Sequence, residues 1–286
     1  MESIKLENVC KQYKDFALCD VSFTVPTGSI MGLIGENGAG KTTIIKLILN
    51  MIKRDAGNIR VLGMDNLEYE RKIKSQVGVV LDRIGFNEQL RLKEVAAIMR
   101  AIFRGSWDDA LFREYAEKFR LPQDKKIKEF SRGMGMKLSI AAALSHQPKL
   151  LILDEATSGL DPIIRNEILD EFLDFIQDEE HSVLISSHIT SDLEKVADYI
   201  TFIHDGKVAM SESKDKMLYE YGILKCGEEL FQKVEQKDIA GYRKSSFGIE
   251  ALVYDRESAA RKYEDAIIDR ATLEDIMLFT VKGEQK

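Results

Sequence analysis

One stretch, GENGAGKTT from Gly35 to Thr43, constrains this chain more than any other. It fits the spacing G-x-x-x-x-G-K-[ST], follows an apolar strand pattern at Ser29 to Ile34, and leads into helical periodicity at Ile45, Leu49 and Ile52. Gly35, Gly38 and Gly40 let the backbone curl until successive N–H groups converge, and a helix opening near Lys41 adds the positive end of its dipole. Such a turn, completed by Glu36, Asn37, Ala39 and Thr43, accepts phosphate. Lys41 is expected to reach the outer phosphates, and Thr42 to offer its hydroxyl to Mg²⁺. A buried strand, a glycine loop and a helix in succession also predict an α/β sheet that gathers its ligands at the carboxyl ends of its strands.

Two further apolar strands end in residues capable of chemistry. Leu150 to Leu153 runs into Asp154-Glu155, and Ser182 to Ser186 ends at His188. Only one of two adjacent carboxylates can face a metal, so Asp154 is read as the Mg²⁺ ligand and Glu155 as the group that polarises water. Alone, the pair fits a solvated turn equally well; beside GENGAGKTT it reads as catalytic.

Around these strands, residues 1–34 alternate apolar and polar positions and break at Pro26-Thr27-Gly28, which predicts antiparallel strands. Residues 88–145 carry helical patterns (Glu94 to Phe103, Trp107 to Phe119, Gly135 to Ser145), a helical insertion. After a helix at Ser191 to Ala197, Tyr199 to Met210 reads as a hairpin turning at Asp205-Gly206. Beyond Ser211 the chain becomes more charged. Short apolar pieces at Ile223 to Cys226, Ile249 to Val253 and Ile267-Ile268, with a last helix at Thr272 to Val281, predict a small α+β appendage over 211–286 behind a main domain over 1–210.

Composition narrows the partners. A net charge of −7 argues against nucleic acid, which needs a clustered basic surface. No apolar run approaches the ~20 residues of a membrane-spanning helix, and the charged start MESIKLENVCKQYKD is unlike a signal peptide, so the chain is expected in the cytoplasm. Cys10, Cys19 and Cys226 have neither disulfide-framework nor metal-ligand spacing and read as reduced thiols.

Taken in order, GENGAGKTT, FSRGM (Phe130 to Met134), LLILDEAT (Leu150 to Thr157), SGLDP (Ser158 to Pro162) and ISSHI (Ile185 to Ile189) resemble the ATP-binding subunits of ABC transporters across residues 1–210. FSRGM in place of the commoner LSGGQ resembles the subgroup serving small bacterial ABC-2-type exporters of drugs, bacteriocins or antimicrobial peptides. The resemblance implies a P-loop NTPase core with an N-terminal antiparallel β subdomain, ATP and Mg²⁺ as cofactors, and ATP hydrolysis coupled to transport. It makes His188 the contact to the γ-phosphate, and Ser131, Arg132, Gly133 and Met134 a signature loop acting in trans on ATP held by the opposite subunit. Asp161 becomes the loop through which the two sites communicate, and Tyr13 the aromatic stacked on adenine, with Phe16 as its substitute. Asp82 stands where the family usually has a glutamine that contacts Mg²⁺ and couples to the membrane subunit, and Gln89 is its rival.

The implied partners are a second copy or a paralogous subunit, closing over two ATP molecules, and a separate multi-helix permease. The permease would dock near Asp82 to Phe103, at Gly85-Phe86 and Leu90 to Leu92, holding the chain at the inner face of the membrane. Ser131 supports the signature on physical grounds alone, because serine is a good N-cap and a helix start aims N–H groups outward. Two other functions stay open: a catalytically impaired subunit of an asymmetric pair, and a soluble non-transport ABC ATPase.

Overall fold

The computed structural model describes residues 1–245 and 248–283. Strands β1 (Glu2–Gln12) and β2 (Ala17–Pro26) form an antiparallel ribbon in which Leu6 faces Phe23 and Val9 faces Val21. Every residue of β3 (Ile30–Gly35) is buried, which is why its sequence does not alternate. The glycine loop then delivers α1 (Lys41–Ile48), with Ile44, Ile45, Leu47 and Ile48 turned inward. Between this helix and the insertion lie β4 (Ala56–Val61), β5 (Met64–Asp65), α2 (Glu70–Lys74) and β6 (Val77–Val80). β4 joins the other edge of β1, so the N-terminal sheet runs β2-β1-β4-β5.

The insertion is built from α3 (Leu92–Ile102), α4 (Asp109–Lys118) and α5 (Arg132–Leu144). All three of its helices start elsewhere than apolar spacing indicates, because caps decide. α3 opens at Leu92 rather than Glu94, since Arg91 N donates to Glu94 Oε2 at 2.7 Å. α4 opens at Asp109 rather than Trp107, since the extended Asp108 accepts from the N–H groups of Ala110 (2.8 Å) and Leu111 (3.0 Å). α5 opens at Arg132 rather than Gly135, since Ser131 Oγ accepts from Met134 N at 3.2 Å.

The central sheet is completed by β7 (Leu150–Asp154), α6 (Pro162–Phe175), β8 (Ser182–Ser187), α7 (Thr190–Val196), β9 (Tyr199–His204) and β10 (Lys207–Ser213). Its order is β10-β9-β3-β8-β7-β6, parallel throughout except for the β9–β10 hairpin, which turns at Asp205-Gly206 with both residues at positive φ. One core layer, with Ile4, Val25, Leu33, Ile45 and Leu184, fills the space between the two sheets around α1. The other, with Ile34, Leu138, Phe172 and Ile185, joins this sheet to α5 and α6.

β10 runs on to Ser213, so a domain boundary drawn at 210 falls inside a strand. α8 (Lys214–Glu220) then leads to β11 (Gly222–Cys226), α9 (Glu228–Lys233), β12 (Ile239–Ser245), β13 (Gly248–Val253), α10 (Arg256–Lys262) and β14 (Ile267–Arg270). Their connectivity is βαββαβ and the antiparallel order is β12-β13-β11-β14, the split β-α-β arrangement of ferredoxin-like units. Leu224, Phe231, Val253 and Tyr263 form a core of this unit's own. Ile223 and Leu252 alternate to the opposite face of the sheet, where α11 (Leu273–Lys282) lies and carries Leu273, Ile276 and Phe279 into the larger core beside Leu193 of α7.

Candidate active site

The loop after β3 is shaped by its glycines. Gly38 has φ +88° with open space where a Cβ would stand, whereas a Cβ on Gly40 (φ +115°) would meet Leu18 at 2.6 Å and Phe16 at 2.9 Å. Gly40 is also the N-cap of α1, and it has no side chain with which to cap. The first N–H groups of that helix therefore face a cleft of about 340 Å³ without a side-chain acceptor. A helix start left open toward a cleft attracts an anion.

Lys41, 6% exposed, folds back over the loop and donates to Gly35 O (2.8 Å) and Glu36 O (3.3 Å). The sheet brings the other chemistry to the same point. β7 pairs with β8 so that Asp154 lies opposite Ser186. Ser186 Oγ donates to Asp154 Oδ1 at 2.6 Å and accepts from Glu155 N at 3.1 Å. Asp154 is buried, while Glu155 turns out of the strand with φ +52°, a region that costs a non-glycine residue roughly 1 kcal/mol or more and that clusters at functional sites. Its carboxylate is shared: Oε1 is 3.6 Å from Lys41 Nζ, and Oε2 pairs with His188 Nδ1 at 2.6 Å. A cation, a carboxylate and an imidazole thus meet at the mouth of the anion-accepting loop.

The cleft wall comprises Glu36, Asn37, Gly38, Gly40, Lys41, Thr42, Thr43, Asp82, Glu155 and His188, joined by Phe16, Arg132 and Ser158. Asp82, after β6, is half exposed and pairs with Arg83 at 3.9 Å. Gln89 accepts from Lys126 Nζ instead and is not on the wall. Tyr13 is likewise off the wall, and Phe16, whose carbonyl accepts from Tyr13 N, takes the place beside Gly40.

Three signature residues also stand away from their own cleft. Ser131 caps α5 from an exposed position, Gly133 packs where a Cβ would lie 2.6 Å from Ile164, and Met134 packs on the core. Asp161 caps α6, accepting from the N–H groups of Ile163 and Ile164 at 3.1 Å each. A second and larger cleft, about 1150 Å³, includes Arg83, Gly85, Phe86, Met99, Ile102 and His146 in its wall, whereas Leu90 to Leu92 lie outside it. Leu92 is 5% exposed and belongs to the core, so of the two pieces expected to dock within Asp82 to Phe103 only Gly85-Phe86 lines that groove, where Met99, Ile102 and Phe103 join it.

Residues 18–158 match the family described as ABC transporter. The chain is 36% identical over 206 residues to the bacitracin transport ATP-binding protein BcrA of Enterococcus faecalis, covering 71% of this chain and 67% of that protein. Against the lantibiotic transport ATP-binding protein SrtF of Streptococcus pyogenes it is 35% identical over 215 residues, covering 74% of this chain and 91% of the relative. The chain belongs to the ATP-binding subunits of ABC transporters. A solved ATP binding subunit of an ABC transporter shares the fold with a TM-score of 0.66 and 26% identity, over 75% of this chain and 91% of that one. The protein is accordingly an ATPase that powers transport.

Two residues of this ABC subunit's site escaped sequence reasoning. Ser186 reads in ISSHI only as part of the strand that carries His188, and the β7–β8 register is what sets it opposite Asp154. Ser158 reads as the first letter of SGLDP, yet it stands on the cleft wall. For Ser186 the signal was available, since a hydroxyl in a fully buried parallel strand requires a partner.

Proposed function

We propose that this ABC subunit holds the phosphates of ATP in the loop from Gly35 to Thr43, that Glu155 activates water, and that His188 orients it against the γ-phosphate. The observation that supports this is the sharing of the Glu155 carboxylate between Lys41 and His188 at the loop's mouth. Phosphate arriving in the loop competes for the Lys41 ammonium. Glu155 then keeps its pairing with His188 and is free to take a proton from water. Phe16, or Tyr13 beside it, offers the flat surface for adenine.

The residues fit Mg²⁺. Thr42 and Asp82 bring hard oxygens to the cleft wall, and Asp154, buried at the end of β7 with Oδ1 held by Ser186, would supply a third. Bound there, the ion would neutralise charge on the transferring phosphoryl group.

Ser131, Gly133 and Met134 lie off their own cleft, which fits a signature loop that completes the site of a second subunit, with Asp161 behind it at the start of α6. Among the described residues no helix is long and apolar enough to cross a membrane. As an ATP-binding subunit of a transporter, the chain passes its motion to a separate permease at the cytoplasmic face. The 1150 Å³ groove beside Phe86 and Ile102 is the surface that suits it. The bacitracin and lantibiotic transport relatives favour an exporter of peptide-like or drug-like compounds.

The test is Glu155→Gln. ATP affinity is expected to hold while hydrolysis slows by about 10²–10⁴, the usual worth of a general base. Lys41→Ala is expected to impair binding itself. Rapid turnover by Glu155→Gln rejects the base, and unaltered nucleotide affinity in Lys41→Ala rejects the cleft. Phosphate release by the purified wild-type chain excludes a catalytically impaired subunit.

A further inference from the structure

Arg132 is the signature residue that does not keep to the signature's place. Its neighbours Ser131, Gly133 and Met134 stand away from this chain's own cleft, yet Arg132 lines it together with Lys41, Glu155, Ser158 and His188. The guanidinium is carried over from the first turn of α5 and lies against Gly159, where an added Cβ would be 3.0 Å from Nη1 and 3.1 Å from Cζ. Gly159 has φ +69°, so the loop after Glu155 combines a left-handed turn with a bare backbone on which the planar group rests. Among the described residues no carboxylate lies within ion-pair distance of this guanidinium, and no carbonyl accepts from it.

The cleft wall carries the carboxylates Glu36, Asp82 and Glu155, and Lys41, which an arriving phosphate draws away from Glu155, also donates to the loop carbonyls of Gly35 and Glu36. The terminal phosphate is the most highly charged part of a nucleoside triphosphate, and a second cation beside Lys41 offsets the charge that three carboxylates on the wall would oppose. A guanidinium presents a rigid fork that matches phosphate oxygens.

We propose that Arg132 binds the γ-phosphate of the ATP held by its own chain, a contact in cis that distinguishes ATP from ADP before any second subunit arrives. This rests on the cleft being the ATP site. The Gly159 backbone fixes the direction of the side chain, so the loop that follows the catalytic carboxylate and the first residue of α5 register the same phosphate. Loss of that phosphate on hydrolysis releases Arg132 and with it the start of α5.

The experiment measures equilibrium binding of fluorescent mant-AMP-PNP and mant-ADP, with Mg²⁺, at protein concentrations where light scattering reports single protomers. Arg132→Ala is expected to weaken the triphosphate analogue by about 10- to 100-fold and to leave ADP within about twofold, with Arg132→Lys between. Arg132 is exposed, so the variant is expected to fold. Gly159→Ala, which displaces the guanidinium, is expected to reproduce the selective loss with Arg132 still present. Unchanged triphosphate affinity in the Arg132→Ala protomer, an equal loss for ADP, or a loss seen only once dimers form overturns the proposal. Lys41→Ala in the same assay separates the two failures: if it binds both nucleotides normally the cleft reading fails, and if it loses both the cleft stands and the Arg132 variants alone decide the proposal.

Discussion

His146 shows how one buried side chain sets a pH limit. It follows α5, is 1% exposed, and stacks on Phe103 at 3.9 Å with the rings 4° from parallel, so it ties the end of α3 to α5. Among the described residues its Nδ1 has no hydrogen-bond partner. Burial lowers its pKa from 6.5 to about 4. Between those values the unfolded chain binds a proton that the folded chain refuses, so stability is whole above pH 6.5 and falls as the pH drops toward 4. The total loss is on the order of 3 kcal/mol. His146→Phe keeps a ring on Phe103 and removes the proton site, so its urea midpoint is expected to vary less across this window than that of the wild type. Equal slopes would refute the assignment. The same contrast marks what single residues disclose: Lys41, Glu155 and His188 announce themselves through motif position, whereas His146 and Ser186 owe their roles to what the fold sets beside them.

Elements were legible where burial leaves a long uniform trace and obscure where polar faces dominate. β3, β7 and β8 are buried throughout, and their apolar runs predict them. β12, with the sequence IAGYRKS at the edge of its sheet, and α10, with the sequence RESAARK, keep one flank in water, so neither carries a periodic signal strong enough to read. The last helix was visible, but its attachment was not. Thr272 and Asp275 satisfy each other across its first turn, and Leu273 N donates to Glu194 Oε1 on α7 at 2.8 Å. Because α7 begins just beyond His188, this contact, with the packing of Leu273 and Ile276 in the core of Leu193, joins the C-terminal unit to the strand end that carries His188. Glu194→Ala removes the acceptor and is expected to cost about 1–2 kcal/mol, while Glu194→Gln restores most of it. Hydrogen exchange should quicken in α11 and β12 and stay unchanged in α1. Uniform protection in the alanine variant would show that α11 is held by packing alone.

A protomer holding ATP is unfinished in one direction. In the proposed site the open helix start, Lys41, Glu155 and His188 surround the nucleotide from one side, while the exposed Ser131, the N-cap of α5, lies off that cleft. In the proposed pair, two copies related by a two-fold axis supply each other with the missing side, since an isologous contact presents the same surfaces twice. Nucleotide that binds the paired state in preference to the single one drives pairing by mass action, about 2.7 kcal/mol per site at a hundredfold excess over its dissociation constant. Glu155→Gln at saturating Mg²⁺ and ATP is therefore expected to double its mass in light scattering, and with ADP to remain single. Adding Ser131→Arg to that variant puts a bulky side chain at the contact and is expected to restore the single protomer with ATP still bound. If Glu155→Gln stays single with ATP bound, the α5 start does not meet a second nucleotide, and closure must be supplied by the permease rather than by the ATPase pair.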